Sequence, residues 1–160
     1  EQPPTVPELP RFSMLITGSR SWTDFLLIEQ AISDMAVEAA QLGKDLVVVH
    51  GVARGADKLA QAVVRGRRAA GWRHIHEEPH PADWNAPCID RCRPGHRRPW
   101  RGGGDYCPAV GTYRNELMVS LGADVCFAFI KNQSPGATHC AKRAEAAGIC
   151  TTRIVWEKQS

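Results

Sequence analysis

The chain has 160 residues, about one domain's worth, and its 43% hydrophobic and 23% charged residues describe a globule, not a disordered or membrane-spanning chain. Twenty Lys and Arg against 17 Asp and Glu leave a formal charge of +3, too weak a global field to argue nucleic-acid binding without a local basic cluster. No secretory signal opens the sequence, so a cytoplasmic location is the default expectation, although Glu1 is not an initiator and leaves room for an upstream segment.

Residues 1–11 hold four prolines and no periodic pattern, and read as a flexible arm. Residues 12–160 read as a single domain. Phe12 to Thr17 is a short apolar run stopped by Gly18, the mark of a buried strand. Thr23 or Asp24 can then cap a helix whose apolar residues Ile28, Ile32, Met35, Ala39 and Leu42 recur at helical spacing up to Gly43. The unit repeats. Asp45 to His50 is an unbroken β-branched strand, Gly51 to Asp57 turns into a helix through Leu59, Val63 and Ala70 to Gly71, and a third strand is expected near Arg73 to Glu77. After an irregular stretch the pattern resumes with a helix from about Thr112 to Leu121 and a strand from Ala123 to Ile130. A helix through Cys140, Ala144 and Ala147 and a last strand near Cys150 to Trp156 close the chain. Strands without polar alternation, separated by helices, predict an α/β fold: a Rossmann-like, doubly wound parallel sheet of about five strands, with ligands at the carboxyl ends of the strands.

Residues 80–111 form an insert without hydrophobic periodicity, too long to be an ordinary loop in a compact domain. Within it Cys88-x3-Cys92-x3-His96-x10-Cys107 supplies three thiols and one imidazole, a set that can wrap one tetrahedral Zn²⁺ in a structural role. A metal would explain how so irregular a stretch is held; free thiols or a disulfide are the alternatives. Cys126, Cys140 and Cys150 lie in apolar surroundings and read as core. Five arginines between Arg91 and Arg101, with Trp100 beside them, could bind single-stranded nucleic acid or a polyphosphate, or simply form a solvated knuckle. Trp84 either walls a pocket or anchors the insert by burial.

Three loops follow strands at one predicted edge: Gly18-Ser19-Arg20, Gly51 to Asp57, and Ser134 to Thr138. Glycines allow positive φ and close backbone approach, and helix amino termini offer free N–H groups, which together make an anion site. The residues expected to hold ligand are Gly18, Ser19, Arg20, Gly51, Arg54, Gly55, Asp57, Arg114, Ser134 and Gly136. Arg20 and Arg54 follow directly on strand ends and are expected to outrank Arg97 and Arg98 of the insert. Plain turn chemistry is the alternative for the loops. The charge of Asp57 suits ribose hydroxyls or a helix cap better than a phosphate. His50 could touch ligand, whereas His74 and His76 are expected to face solvent or a helix.

Met14-Leu15-Ile16-Thr17-Gly18-Ser19-Arg20, Val49-His50-Gly51-Val52-Ala53-Arg54-Gly55-Ala56-Asp57, Pro81-Ala82-Asp83-Trp84, Tyr113-Arg114-Asn115-Glu116-Leu117-Met118 and Ser134-Pro135-Gly136 occur in order. Together they resemble the YspA-like branch of the SLOG superfamily, Rossmann-like domains related to the LOG phosphoribohydrolases. The resemblance implies a nucleotide or nucleotide-derived ligand over the glycine-rich edge and, for this branch, a sensor role. LOG enzymes pair an arginine with a glutamate that follows a Pro-Gly-Gly-x-Gly-Thr loop. Arg114, four residues before Met118, resembles the first. The second is missing, because Ser134-Pro135-Gly136-Ala137-Thr138 is followed by His139, Cys140, Ala141 and Lys142. As an enzyme, the chain would rely on Arg114 with Glu116 or Asp57 to open an N-glycosidic bond of a nucleoside monophosphate or NAD-like substrate. The expected partners are thus a nucleotide-derived small molecule, with a homo-oligomer or nucleic acid as further possibilities and no membrane. Fifteen arginines against five lysines suggest a high-GC source such as an actinobacterium or its phage.

Overall fold

A computed structural model describes residues 5–158. The elements run β1 (Arg11–Gly18), α1 (Phe25–Gln41), β2 (Asp45–His50), α2 (Ala56–Ala69), β3 (Ile75–Pro79), β4 (Arg98–Pro99), β5 (Asp105–Tyr106), α3 (Val110–Ser120), β6 (Val125–Lys131), α4 (Pro135–Ala146) and β7 (Cys150–Trp156). Five strands form one sheet in the order β3-β2-β1-β6-β7, every pairing parallel, and β4 with β5 makes a separate antiparallel pair. The expected doubly wound α/β sheet is therefore present. The chain winds outward from β1 in both directions, so the β1/β6 boundary is its switch point, the crevice where such sheets take ligands.

The apolar runs of β1 and β2 are buried on both faces because helices cover both. Met14, Ile16 and Val48 meet Ile28, Ile32 and Val64 of α1 and α2 on one face. Leu15, Val47 and Val49 meet Met118 of α3 and Cys140 of α4 on the other. Each such side chain, fully buried, is worth about 1.5–3 kcal/mol, so the sheet is the rigid frame that positions its own edge.

Asp24 is the cap of α1, accepting the Leu27 N–H at 3.3 Å, and the helix turns off through Gly43 at φ +68°. β3 begins two residues later than expected because its ladder starts where β2 does, Leu46 opposite Ile75. His74 and His76 do not simply face outward. Asp45, wholly buried at the start of β2, takes His76 Nε2 at 2.9 Å and His74 Nδ1 at 2.6 Å, and Thr5 Oγ1 lies 2.6 Å from His76 Nδ1. The Glu8 N–H also bonds Asp45 at 2.8 Å, so residues 5–8 of the predicted arm are tied to the sheet; residues 1–4 lie outside the described range. Cys126 and Cys140 are core residues, but Cys150 is exposed, because β7 is an edge strand.

Candidate functional site

Two of the glycines exist for close packing between loops. A Cβ on Gly18 would overlap Ala56 and the Phe129 carbonyl, and one on Gly55, at φ +80°, would enter the backbone of Ser19 and Arg20. The first loop is thereby laid against the start of α2. Ser19 is pinned as well: its N–H bonds Phe129 O at 2.9 Å and its hydroxyl accepts the Lys131 N–H at 2.8 Å. Arg20 leaves this clamped loop exposed, its guanidinium 5.3 Å over the Trp84 ring. Gly51 is packed beneath the Arg114 guanidinium, whereas Gly136 faces open space.

Between these loops lies a cavity of about 410 Å³, bordered by Gly18–Ser21, Asp57, Arg114, Ser134 and Gly136. Its floor includes the first turn of α4, where Pro135 has no N–H and the Gly136 and Ala137 amides have no helical carbonyl to bond. Asp57 is 5% exposed. Its Oδ2 accepts the N–H groups of Gly51 at 3.0 Å and Ala53 at 3.3 Å, bracing the second loop instead of capping α2. Its Oδ1 has no partner. Burial pushes the Asp57 carboxyl above the usual carboxylate range, against the opposing pull of His50, the two N–H groups and Arg114. Asp57 thus borders the cavity while one of its carboxylate oxygens stays buried without a donor among the described residues, which is uncommon in folded proteins.

Arg114 separates this cavity from a second one. It donates to the carbonyls of Gly51 and His80 and, through Nε, to Asn115 Oδ1 at 2.7 Å. Burial pulls its pKa down and Asp57 opposes the shift. Glu116, two residues further along α3, does not join it. That carboxylate is 2.6 Å from Arg91 and 3.7 Å from Arg143 and borders neither cavity, and the Arg91 hydrogen bond holds it below the usual range.

The second cavity, about 540 Å³, is bordered by Arg20, Gly51, Arg54 and Arg114 from the domain and by Trp84, Trp100 and Tyr106 from the insert. Trp84 meets Tyr106 edge-on at 6.1 Å, and Trp100 stacks on Tyr106 at 4.2 Å. Trp84 is half-buried and borders the first cavity as well as this one. Val52, a β-branched residue at φ 58°, also borders it, a conformation characteristic of strained functional loops. His50 faces inward: it accepts the Val52 N–H and lies 3.3 Å from Glu77, fully buried.

Behind the aromatic wall Cys88, Cys92, His96 and Cys107 converge, their ligand atoms all within 4.8 Å of one another. Cys88 Sγ and Cys107 Sγ lie 3.0 and 3.4 Å from His96 Nε2, and Cys92 Sγ lies 3.7 Å from Cys107 Sγ. The edge of a tetrahedron with ~2.3 Å metal–sulfur bonds is about 3.8 Å, so the four residues could hold one metal ion, while none of the thiols is in a disulfide. Arg97 Nη1 donates to Cys88 Sγ at 3.5 Å and Tyr113 Oη lies 3.4 Å from Cys92 Sγ, the outer contacts such a centre uses. Arg97 also holds Asp105 at 3.0 Å, so part of the arginine run is internal structure.

The sequence-predicted residues thus divide. Ser19, Arg20, Asp57, Arg114, Ser134 and Gly136 meet at the first cavity with Gly18, Gly51 and Arg54 join Arg20 and Arg114 at the second, Gly55 supports the loops from behind, and Glu116 is elsewhere. Trp100 and Tyr106 as walls of the same cleft were not foreseen. Their aromatic character within a Cys/His insert was the available signal, but only the fold brings that insert over the strand ends.

Comparison with known proteins gives two matches. Residues 12–86 match the family described as "YspA, cpYpsA-related SLOG family". The chain is 39% identical over 136 residues to "Gene 61 protein" of Mycobacterium phage D29, covering 85% of this chain and 90% of that protein. No solved structure matches. No helix among the described residues is long and apolar enough to cross a membrane.

Proposed function

The chain belongs to the YspA, cpYpsA-related SLOG family, and from that premise we propose that it is a sensor-type domain holding a nucleotide or nucleotide-derived ligand in the glycine-rich cleft, with a structural zinc ion in the neighbouring knuckle. The observation that carries this reading is Asp57, which borders the cavity at the amino terminus of α4 and keeps one buried carboxylate oxygen without a hydrogen-bond partner among the described residues. A phosphate on the Gly136 and Ala137 amides would meet fixed donors and the positive end of the helix dipole. The ribose hydroxyls of the same ligand would donate to Asp57, and Arg20 would close over the charge. Zinc suits three thiolates and one imidazole, and four protein ligands leave no open position for water, which makes the ion structural.

The presence of Asp57 and Arg114 at one cavity also favours a second reading, an N-glycosidase in which the two act on the sugar–base bond. Nucleic-acid binding ranks below both, because Arg91 and Arg97 are engaged in ion pairs with Glu116 and Asp105. The test is incubation with ribonucleotides and NAD-like compounds, read by thermal melting and by chromatography. Ligand at a hundred times Kd adds about 2.7 kcal/mol, a rise of roughly 5–11 °C for a domain of this size. Recovery of intact ligand with that rise supports the sensor, and released base identifies the enzyme. No shift with any compound and no released base refutes both.

A further inference from the structure

The second cavity is lined by groups that do not suit a phosphate or a sugar alone. Trp84 and Trp100 each pack against Tyr106, and the three form an aromatic wall. Arg20, whose guanidinium lies over Trp84, also borders the cavity with Arg54 and Arg114, and among the described residues no carboxylate does. Aromatic faces with arginine planes and no competing acid are the surroundings in which planar heteroaromatic rings are held by stacking, with ring oxygens and nitrogens accepting from guanidinium N–H groups. Arg20 and Trp84 border both cavities and Arg114 stands between them, so one ligand can occupy both.

We propose that the second cavity is the base subsite: the nucleotide lies with its phosphate and ribose over the glycine-rich edge and its base against the aromatic wall of the insert. The proposal rests on the nucleotide reading of the first cavity. It assigns the insert a direct part in recognising the same ligand. The wall is delivered by the β4–β5 pair, whose Arg98 faces Tyr106 and which lies between the ligand-forming residues His96 and Cys107. Trp100 is further fixed by its indole N–H to Asn85 Oδ1 at 3.0 Å. A loop ordered in this way can stack a base without first being ordered by it.

The experiment is titration calorimetry of the metal-replete protein with the four ribonucleoside 5′-monophosphates and with ribose 5-phosphate. The expected result is that at least one mononucleotide binds ten- to a hundredfold more tightly than ribose 5-phosphate, the usual worth of one stacked base. Trp100→Ala and Tyr106→Leu remove that advantage and leave ribose 5-phosphate binding unchanged, and Trp100→Phe restores most of it. Equal affinity for mononucleotides and ribose 5-phosphate overturns the base subsite while the phosphate cleft stands. So does an equal loss for both ligand types in the variants. If neither ligand type binds, the reading of the first cavity fails and the base subsite fails with it.

Discussion

Gly55→Ala tests whether the two loops are held by contact between their backbones. Gly55 has φ +80° and ψ −126°, a region open essentially to glycine, where a residue with a side chain pays about 1–3 kcal/mol. Its added Cβ would also meet the carbonyl oxygens of Ser19 and Arg20, backbone atoms that cannot rotate aside. Overpacking of that kind costs a further ~1–3 kcal/mol. Together the loss is about 2–6 kcal/mol, or roughly 4–24 °C in melting temperature at about 2–4 °C per kcal/mol. Gly43→Ala is the control, since Gly43 also has positive φ, +68°, but nothing lies within 4 Å of its would-be Cβ. It should lose only the conformational part, about 1–2 kcal/mol. The loops of Gly55→Ala should also separate and weaken nucleotide binding, whereas Gly43→Ala binds normally. Urea unfolding of both variants in metal-containing buffer, with ligand titration of each, measures the two effects. Equal destabilisation by the two substitutions would refute the loop contact.

Protein purified without added metal should carry about one zinc ion per chain by elemental analysis, and Cys88→Ser with Cys107→Ser should lose it; chelation should weaken mononucleotide binding while the far-ultraviolet signature of the sheet survives. Arg20→Ala should weaken nucleotide binding by about 1.5–3 kcal/mol, ten- to a hundredfold, whereas Arg98→Ala with Arg101→Ala leaves it nearly unchanged in the same titration. Arg97 is unsuitable as that control because it holds Cys88 and Asp105. For pH, burial alone would raise the Asp45 carboxyl, but the Glu8 N–H, His76 and His74 outweigh it and leave it below its ordinary value. A carboxylate depressed in the folded state stabilises above its unfolded pKa of about 3.9, and that stability is lost as pH falls through the folded value. Asp45→Asn should therefore cost about 1–3 kcal/mol at neutral pH and flatten the fall in stability below pH 4, and unfolding curves that stay parallel to the parent from pH 7 to pH 3 would contradict it.

Much of the fold was legible along the chain because its causes are local. Short β-branched apolar runs such as Leu46 to Val49 read as strands covered on both faces, and helical spacing from Ile28 to Leu42 ending at Gly43 marks α1 with its stop. The loops after β1, β2 and β6, and the four residues that could hold a metal ion, could be named from spacing for the same reason. What the spacing could not decide is where side chains from distant segments point. Glu116 and Arg114 are two residues apart, yet helix geometry sends one to Arg91 and the other over Gly51. Asp57 has its significance only through an oxygen that the packed fold leaves without a donor. Gly55 reads as a turn residue in sequence and as the floor of another loop in space. The insert had no periodicity to read, and Cys88, Cys92, His96 and Cys107 converge within it. That convergence, and the placing of Trp100 and Tyr106 over the strand ends, depends on contacts between residues far apart in sequence, which tertiary structure alone decides.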